Sequence, residues 1–247
     1  MTSDPPRGRL LPLLTADGPT QMAIDALLLK QAQTNPVLRF YRWDGPWLSI
    51  GRHQRQYPEH WNALAAAGAL SIVRRPSGGS AVLHAGGLTY ALIWPNAPRQ
   101  RHQAYREACR WLIDGFRQLG EELYFGDEAA IANVAHCFAR ATAADLVDRR
   151  GIKRIGSAQR WQHGNLLQHG EILLDPPSNL WQQVFEESGP ISASDLVPRD
   201  GLDQHLFKAL QHQWPDQIWH EQDFNDVERQ TLGLTKSGSV ACIDSTT

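Results

Sequence analysis

Three groups of residues in this chain have types and spacings suited to chemistry. The first is Cys137, flanked by His136 and Phe138. A thiolate is a good acyl nucleophile, but a free cysteine titrates near pH ~8.5 and needs a neighbouring cation or histidine to ionise at neutral pH. Lys153, His84 and His169 could supply that help in space. Spacing alone leaves Cys137 open between a nucleophile and an inert buried thiol, and His169 open between a base and a hydrogen-bonded structural residue. The second group is Arg74-Arg75-Pro76-Ser77-Gly78-Gly79-Ser80. Adjacent glycines let the backbone come close to a ligand, and exposed amides beside arginine form a cradle for phosphate or a polarised carbonyl. The same residues also fit a plain β-turn. The third group is Lys153 to Gln159, a cation just ahead of Gly156-Ser157-Ala158. A lysine is a point charge on a flexible stem, suited to a carbonyl or phosphoryl oxygen, or simply an exposed strand residue. Neither a Walker loop nor a GxGxxG fingerprint is present.

The elements that must position these residues read as a mixture of strand and helix periods. Arg9 to Leu14 is expected as an edge strand, and Gln21 to Gln31 as a helix with Thr20 as its N-cap. Val37–Trp43 and Trp47–Gly51 read as strands separated by Asp44-Gly45-Pro46. Tyr57 to Ala67 reads as a helix closed by Gly68. Arg74 to Leu92 is expected as a hairpin whose turn holds the paired glycines. Gln103 to Leu119 is the clearest helix, with Tyr105, Ala108, Cys109, Leu112, Phe116 and Leu119 on one stripe, which makes Cys109 a core thiol. Residues 137–174 read as an antiparallel meander. Residues 178–187 and 200–213 read as helices, and 237–247 as a frayed tail. The sum is an α+β fold: mixed, largely antiparallel sheets flanked by helices. One catalytic domain is expected over residues 1–247, with its core at about 10–198.

Composition narrows the function classes. The 247 residues are 42% hydrophobic, include nine tryptophans, and carry a formal net charge of −2. That balance gives no electrostatic footprint for nucleic acid or for an anionic membrane surface. Three scattered cysteines make neither a disulfide framework nor a zinc site. The first residues lack the apolar core of a signal peptide, and no apolar run is long enough to span a bilayer. The expected location is a reducing cytoplasm.

Taken in order, several segments resemble the lipoate–protein ligase and octanoyltransferase superfamily, whose catalytic domain is related to that of biotin–protein ligase. They are Met22-Ala23-Ile24-Asp25, Leu38-Arg39-Phe40-Tyr41, Leu48-Ser49-Ile50-Gly51, Arg74 to Gly79 with Ala81-Val82-Leu83-His84, and Lys153 to Gln159 with His169-Gly170. Leu88-Thr89-Tyr90 and Cys137-Phe138 draw the resemblance toward the cysteine-dependent octanoyltransferases. The resemblance implies the biotin/lipoate ligase fold and an octanoyl or lipoyl transfer from acyl carrier protein, through a thioester on Cys137, to a lysine of a lipoyl domain or glycine cleavage H protein. It implies Cys137 and Lys153 as catalytic, and Arg74, Ser77, Gly78, Gly79, His84, Gly156, Ser157, Ala158, His169 and Gly170 around the acyl group. No cofactor is required for such a transfer.

Two other readings stand beside it. One is an ATP-dependent lipoate–protein ligase, using ATP and Mg to form a lipoyl-adenylate held by Lys153 and the glycine-rich loop. The other is a non-catalytic paralogue that binds acyl groups or carrier proteins. Its support is a departure from the family pattern: an acidic residue usually follows His84, and here Ala85-Gly86-Gly87 stand instead.

Overall fold

The structure, a computed structural model, describes residues 7–126, 145–193 and 200–235. In chain order the elements are β1 (Arg7–Ala16), α1 (Gly18–Gln31), β2 (Val37–Trp43), β3 (Trp47–Ile50), α2 (Glu59–Ala66), β4 (Ser71–Arg74), β5 (Val82–His84), β6 (Leu88–Trp94), α3 (Arg101–Gln118), β7 (Leu123–Phe125), β8 (Asp145–Asp148), β9 (Lys153–Gln162), β10 (Asn165–Ile172), α4 (Ser178–Phe185), α5 (Leu202–Gln213), β11 (Ile218–Glu221) and α6 (Asp226–Leu232). An eight-stranded sheet runs β11-β1-β2-β6-β10-β9-β8-β7, and a three-stranded sheet runs β4-β3-β5. Most pairings are antiparallel; β1–β11, β1–β2 and β3–β4 are parallel. The α+β class with mixed, largely antiparallel sheets stands.

The large sheet is covered on both faces, so its central strands are apolar on both sides. On β6, Leu88, Tyr90 and Leu92 point toward α3 and α5, where Trp111, Leu112, Phe116, Leu206 and Leu210 complete the core. Ala91 and Ile93 point the other way, toward Met22, Ile24, Leu28 and Leu29 of α1. The small sheet packs Leu48, Ile50 and Leu83 against Trp61 of α2 and Trp181 and Val184 of α4. Alternation of side chains along each strand produces this division.

Several expectations change. The helix after β1 begins at Gly18, and its N-cap is Asp17, whose carboxylate accepts the Thr20 N–H at 2.8 Å. Pro19 falls in its first turn, where a missing N–H costs nothing. β1 is not an edge strand: β11 pairs in parallel along its outer side, from Arg7↔Ile218 to Leu10↔Glu221. The expected hairpin over Arg74–Leu92 does not form. β4 and β5 each pair with β3, which lies between them, and β6 belongs to the other sheet. The connecting segment is held by Arg75, whose guanidinium donates to the Ser49, Gly78 and Ser80 carbonyls at 2.9, 2.7 and 2.6 Å. These bonds wrap residues 75–80 around the end of β3 in place of a tight turn. The meander is present as β8-β9-β10, while its expected start at Cys137 and the expected tail at 237–247 lie outside the described residues.

Candidate active site

A cavity of about 530 Å³ sits where the two sheets meet. That is the size of a small-molecule site. Its apolar walls include Met22, Tyr41, Trp43, Leu83, Trp181 and Phe185, drawn from α1, β2, β5 and α4. Its polar groups come from β3, β5, β6, β8, β9 and β10 and from Arg75, just past β4.

Three carboxylates from distant parts of the sequence hold cationic and imidazole groups around this cavity. Asp25 on α1 accepts from His169 Nδ1 at 2.8 Å, and His169 Nε2 faces the Ser77 hydroxyl. The same Asp25 pairs with Arg39 at 3.1 Å, and Arg39 also donates to Gln21. Glu171 on β10 accepts from His84 Nδ1 at 2.7 Å, and His84 Nε2 lies 2.8 Å from Ser49 Oγ. Asp145 on β8 pairs with Lys153 Nζ at 2.8 Å. Asp25, Glu171, His84 and His169 are all buried. Buried charges persist only when paired and hydrogen-bonded, and here each carboxylate is.

Burial holds the His84 imidazole below its ordinary value, against the opposing pull of Glu171, so the ring is neutral at pH 7. Burial also lowers Arg75 to about 10, which leaves it cationic at neutral pH. His84 stacks on Trp43, with centroids 4.1 Å apart and planes at 22°. Cys109 sits on the buried face of α3, accepts from Gln168 Nε2 at 3.0 Å, and is pushed up to about 11 by burial. It is a core thiol with little thiolate at pH 7.

Of the residues picked out in the sequence, Lys153, Gly79, His84, Gly156, Ser157, Ala158, His169 and Gly170 line the cavity. Arg74, Ser77 and Gly78 do not. The Arg74 guanidinium donates to the Gly51 and Gln54 carbonyls at 2.7 and 2.9 Å and ties the 51–54 loop. Ser77 stands behind His169, and the Gly78 carbonyl is taken by Arg75. Cys137 and its neighbour His136 lie outside the described residues. The sequence reading passed over Ser49, Asp145 and Glu171. A signal for two of them was present: Asp145 and Glu171 are charged residues inside strand-like apolar runs, where a charge needs a partner. The acidic residue missing after His84 has a counterpart here, because Glu171 brings a carboxylate to His84 from the neighbouring strand β10.

Comparison with known proteins agrees with this picture. Residues 17–197 match the model of the lipoyl protein ligase A/B catalytic domain. The chain is 39% identical over 169 residues to Octanoyltransferase LipM of Kyrpidia tusciae, covering 62% of this chain and 61% of that protein. It is 38% identical over 194 residues to Octanoyltransferase LipM of Lysinibacillus sphaericus, covering 72% and 69%. The match thus spans about three fifths of the first of these relatives. Among solved structures, lipoate-protein ligase A bound with ATP superposes with a TM-score of 0.75 at 20% identity, covering 92% of each chain, and so shares the fold. The chain belongs to the lipoyl protein ligase A/B catalytic domain family.

Proposed function

We propose that this protein is an octanoyl (or lipoyl) transferase that works through a thioester on Cys137. The Cys137 thiolate attacks the thioester carbonyl of an acyl carrier protein. A new C–S bond forms at Cys137, the carrier's C–S bond breaks, and the carrier leaves as its thiol after taking up a proton. The ε-amine of a lysine on a lipoyl domain or glycine cleavage H protein then attacks the Cys137 thioester. An amide forms, the amine loses a proton, and the cysteine thiol is released. Thioester to thioester to amide is downhill, so neither ATP nor Mg is needed.

The observation that carries this reading is the cavity, whose lining combines apolar side chains with the Lys153 ammonium. Apolar walls suit a medium-chain acyl group. A fixed cation at the reacting carbonyl stabilises the oxyanion of the tetrahedral intermediate, and removing one such donor typically costs about 10²–10³ in rate. The similarity to octanoyltransferases gives independent support. Among the described residues no helix is long and apolar enough to cross a membrane, and we place the enzyme in the cytoplasm with its carrier and acceptor proteins.

The test is to incubate the protein with octanoyl–acyl carrier protein in the absence of ATP and to measure intact mass. The expected result is an octanoyl adduct that hydroxylamine removes and Cys137→Ala abolishes. Lys153→Ala should slow adduct formation by about 100-fold, with the fold checked alongside because the buried Asp145 carboxylate loses this partner. No adduct, together with ATP- and lipoate-dependent modification of a lipoyl domain, would assign the ligase reaction instead. Carrier binding without either activity would assign a non-catalytic role.

A further inference from the structure

Among the described residues that line the cavity, Glu171 has its carboxylate packed against a glycine outside its own strand, Gly87. Its Oε2 accepts from His84 Nδ1 at 2.7 Å and, at closer range, from the Thr89 hydroxyl. Thr89 Oγ1 in turn accepts the Trp43 indole N–H at 2.8 Å, so the threonine's own hydrogen points to Glu171. A Cβ added at Gly87, just before β6, would collide with Glu171 Oε1 and stand 2.6 Å from the Ile172 carbonyl oxygen. Gly87 therefore leaves open the volume that the Glu171 carboxylate fills.

The hydrogen positions follow from the donors available. An ionised carboxylate only accepts, so the hydrogen between it and the ring belongs to His84 Nδ1. A neutral imidazole has one N–H, so Nε2 is bare and accepts the Ser49 hydroxyl at 2.8 Å. The Ser49 oxygen is itself a target of Arg75 Nη1 at 3.2 Å, which turns the serine's hydrogen toward the ring. The groups around His84 are thus Glu171 and, further off, His169 from β10, Ser49 from β3, Arg75 just past β4, Thr89 from β6 and Trp43 from β2.

We propose that Glu171 is a positioning residue that fixes His84 as its Nδ1–H tautomer, so that Nε2 is held toward Ser49 as a proton acceptor beside the cavity. The other nitrogen's hydrogen bond sets which tautomer a histidine adopts, and Glu171 is that bond. The assignment of the ring rests on its two hydrogen bonds, to Glu171 and Ser49, together with the neutrality that burial favours. Its use as a proton acceptor in thioester formation rests on the function proposed above.

Two measurements test the two parts separately. The first is ¹⁵N–¹H correlation of the histidine rings in the intact wild-type protein at neutral pH, with His84 assigned by loss of its signals in His84→Asn. The expected pattern is Nδ1–H with an unprotonated Nε2; an Nε2–H form or an imidazolium would overturn the proposal whatever the enzyme does. The second uses Glu171→Ser, too short to reach the ring, and the double variant Gly87→Glu/Glu171→Ser, which returns a carboxylate from the other side. In Glu171→Ser the ring should lose its Nδ1–H preference, and thioester formation should fall by about 100-fold at a carrier-protein KM within about twofold of wild type. The double variant should regain the Nδ1–H form and about tenfold in rate, the shortfall reflecting crowding at the Ile172 carbonyl. A folded Glu171→Ser that keeps the Nδ1–H tautomer, or a folded double variant that does not recover it, sinks the idea. If the wild-type protein forms no thioester, the ring measurement still decides the tautomer, and the transferase reading alone falls.

Discussion

Lys153 enters the cavity from the first position of β9, and two neighbours decide where its ammonium rests. Asp145 attracts it to 2.8 Å across the β8–β9 pair. Gly156 leaves room for its stem, because a Cβ there would stand 2.6 Å from Lys153 Cε and 2.9 Å from Nζ. The far end of a flexible side chain yields easily, so the cost of a methyl at 156 falls on placement and not on folding. Gly156→Ala should therefore lower the acyl-transfer rate by about tenfold or more, as expected when a charge meant for a developing oxyanion is displaced. The melting temperature should stay close to wild type. Calorimetry alongside a single-turnover assay checks both, and a variant with normal turnover would show that the ammonium has another productive resting place.

At the scale of elements, α1 is fastened to β2 by a buried ion pair. Asp25 and Arg39 meet at 3.1 Å with almost no solvent exposure, and Tyr41 and His169 share the same carboxylate. Removing one member of a buried pair leaves the other charge uncompensated, at a cost of about 3–5 kcal/mol. Asp25→Ala should lose that much by urea denaturation, far more than a surface carboxylate. α1 was legible in the sequence because Met22, Leu27 and Leu28 recur near helical spacing, and α3 because its stripe from Tyr105 to Phe116 is long and clean. What Asp25 does was not legible, since its partners Arg39 and His169 lie 14 and 144 residues away. The same limit explains the failed hairpin. Local periodicity marks Ser71–Arg74 and Val82–His84 as strand-like, but pairing with β3 is nonlocal, and the Arg75 bond to the Ser49 carbonyl that accompanies it spans 26 residues. β11 was missed for another reason: Ile218–Glu221 is short, and only Trp219 is buried.

For the whole molecule, His84, one of two buried histidines at the cavity, couples stability to pH. Burial lowers the His84 value in the folded state relative to 6.5 in the unfolded chain. Between those two values the unfolded chain binds more protons than the folded one, so stability rises with pH there. It is fully present above the unfolded value and is lost as pH falls below it toward the folded value. Urea midpoints should therefore drop between pH 7 and pH 5, and His84→Asn should flatten part of that slope. An equal slope in both proteins would remove His84 from the effect.

The parallel strand β11 has one more consequence. Without it, β1 would present the outward-facing half of its backbone N–H and C=O groups along the outside of the large sheet, the kind of open edge onto which another chain can add. β11 covers the first part of that row, from Arg7 to Leu10, and Arg9 reaches past it to bond Glu228 of α6 at 2.7 Å. Ile218–Glu221, a strand that contributes nothing to the cavity lining, thus closes the N-terminal part of an edge that would otherwise be open to strand addition.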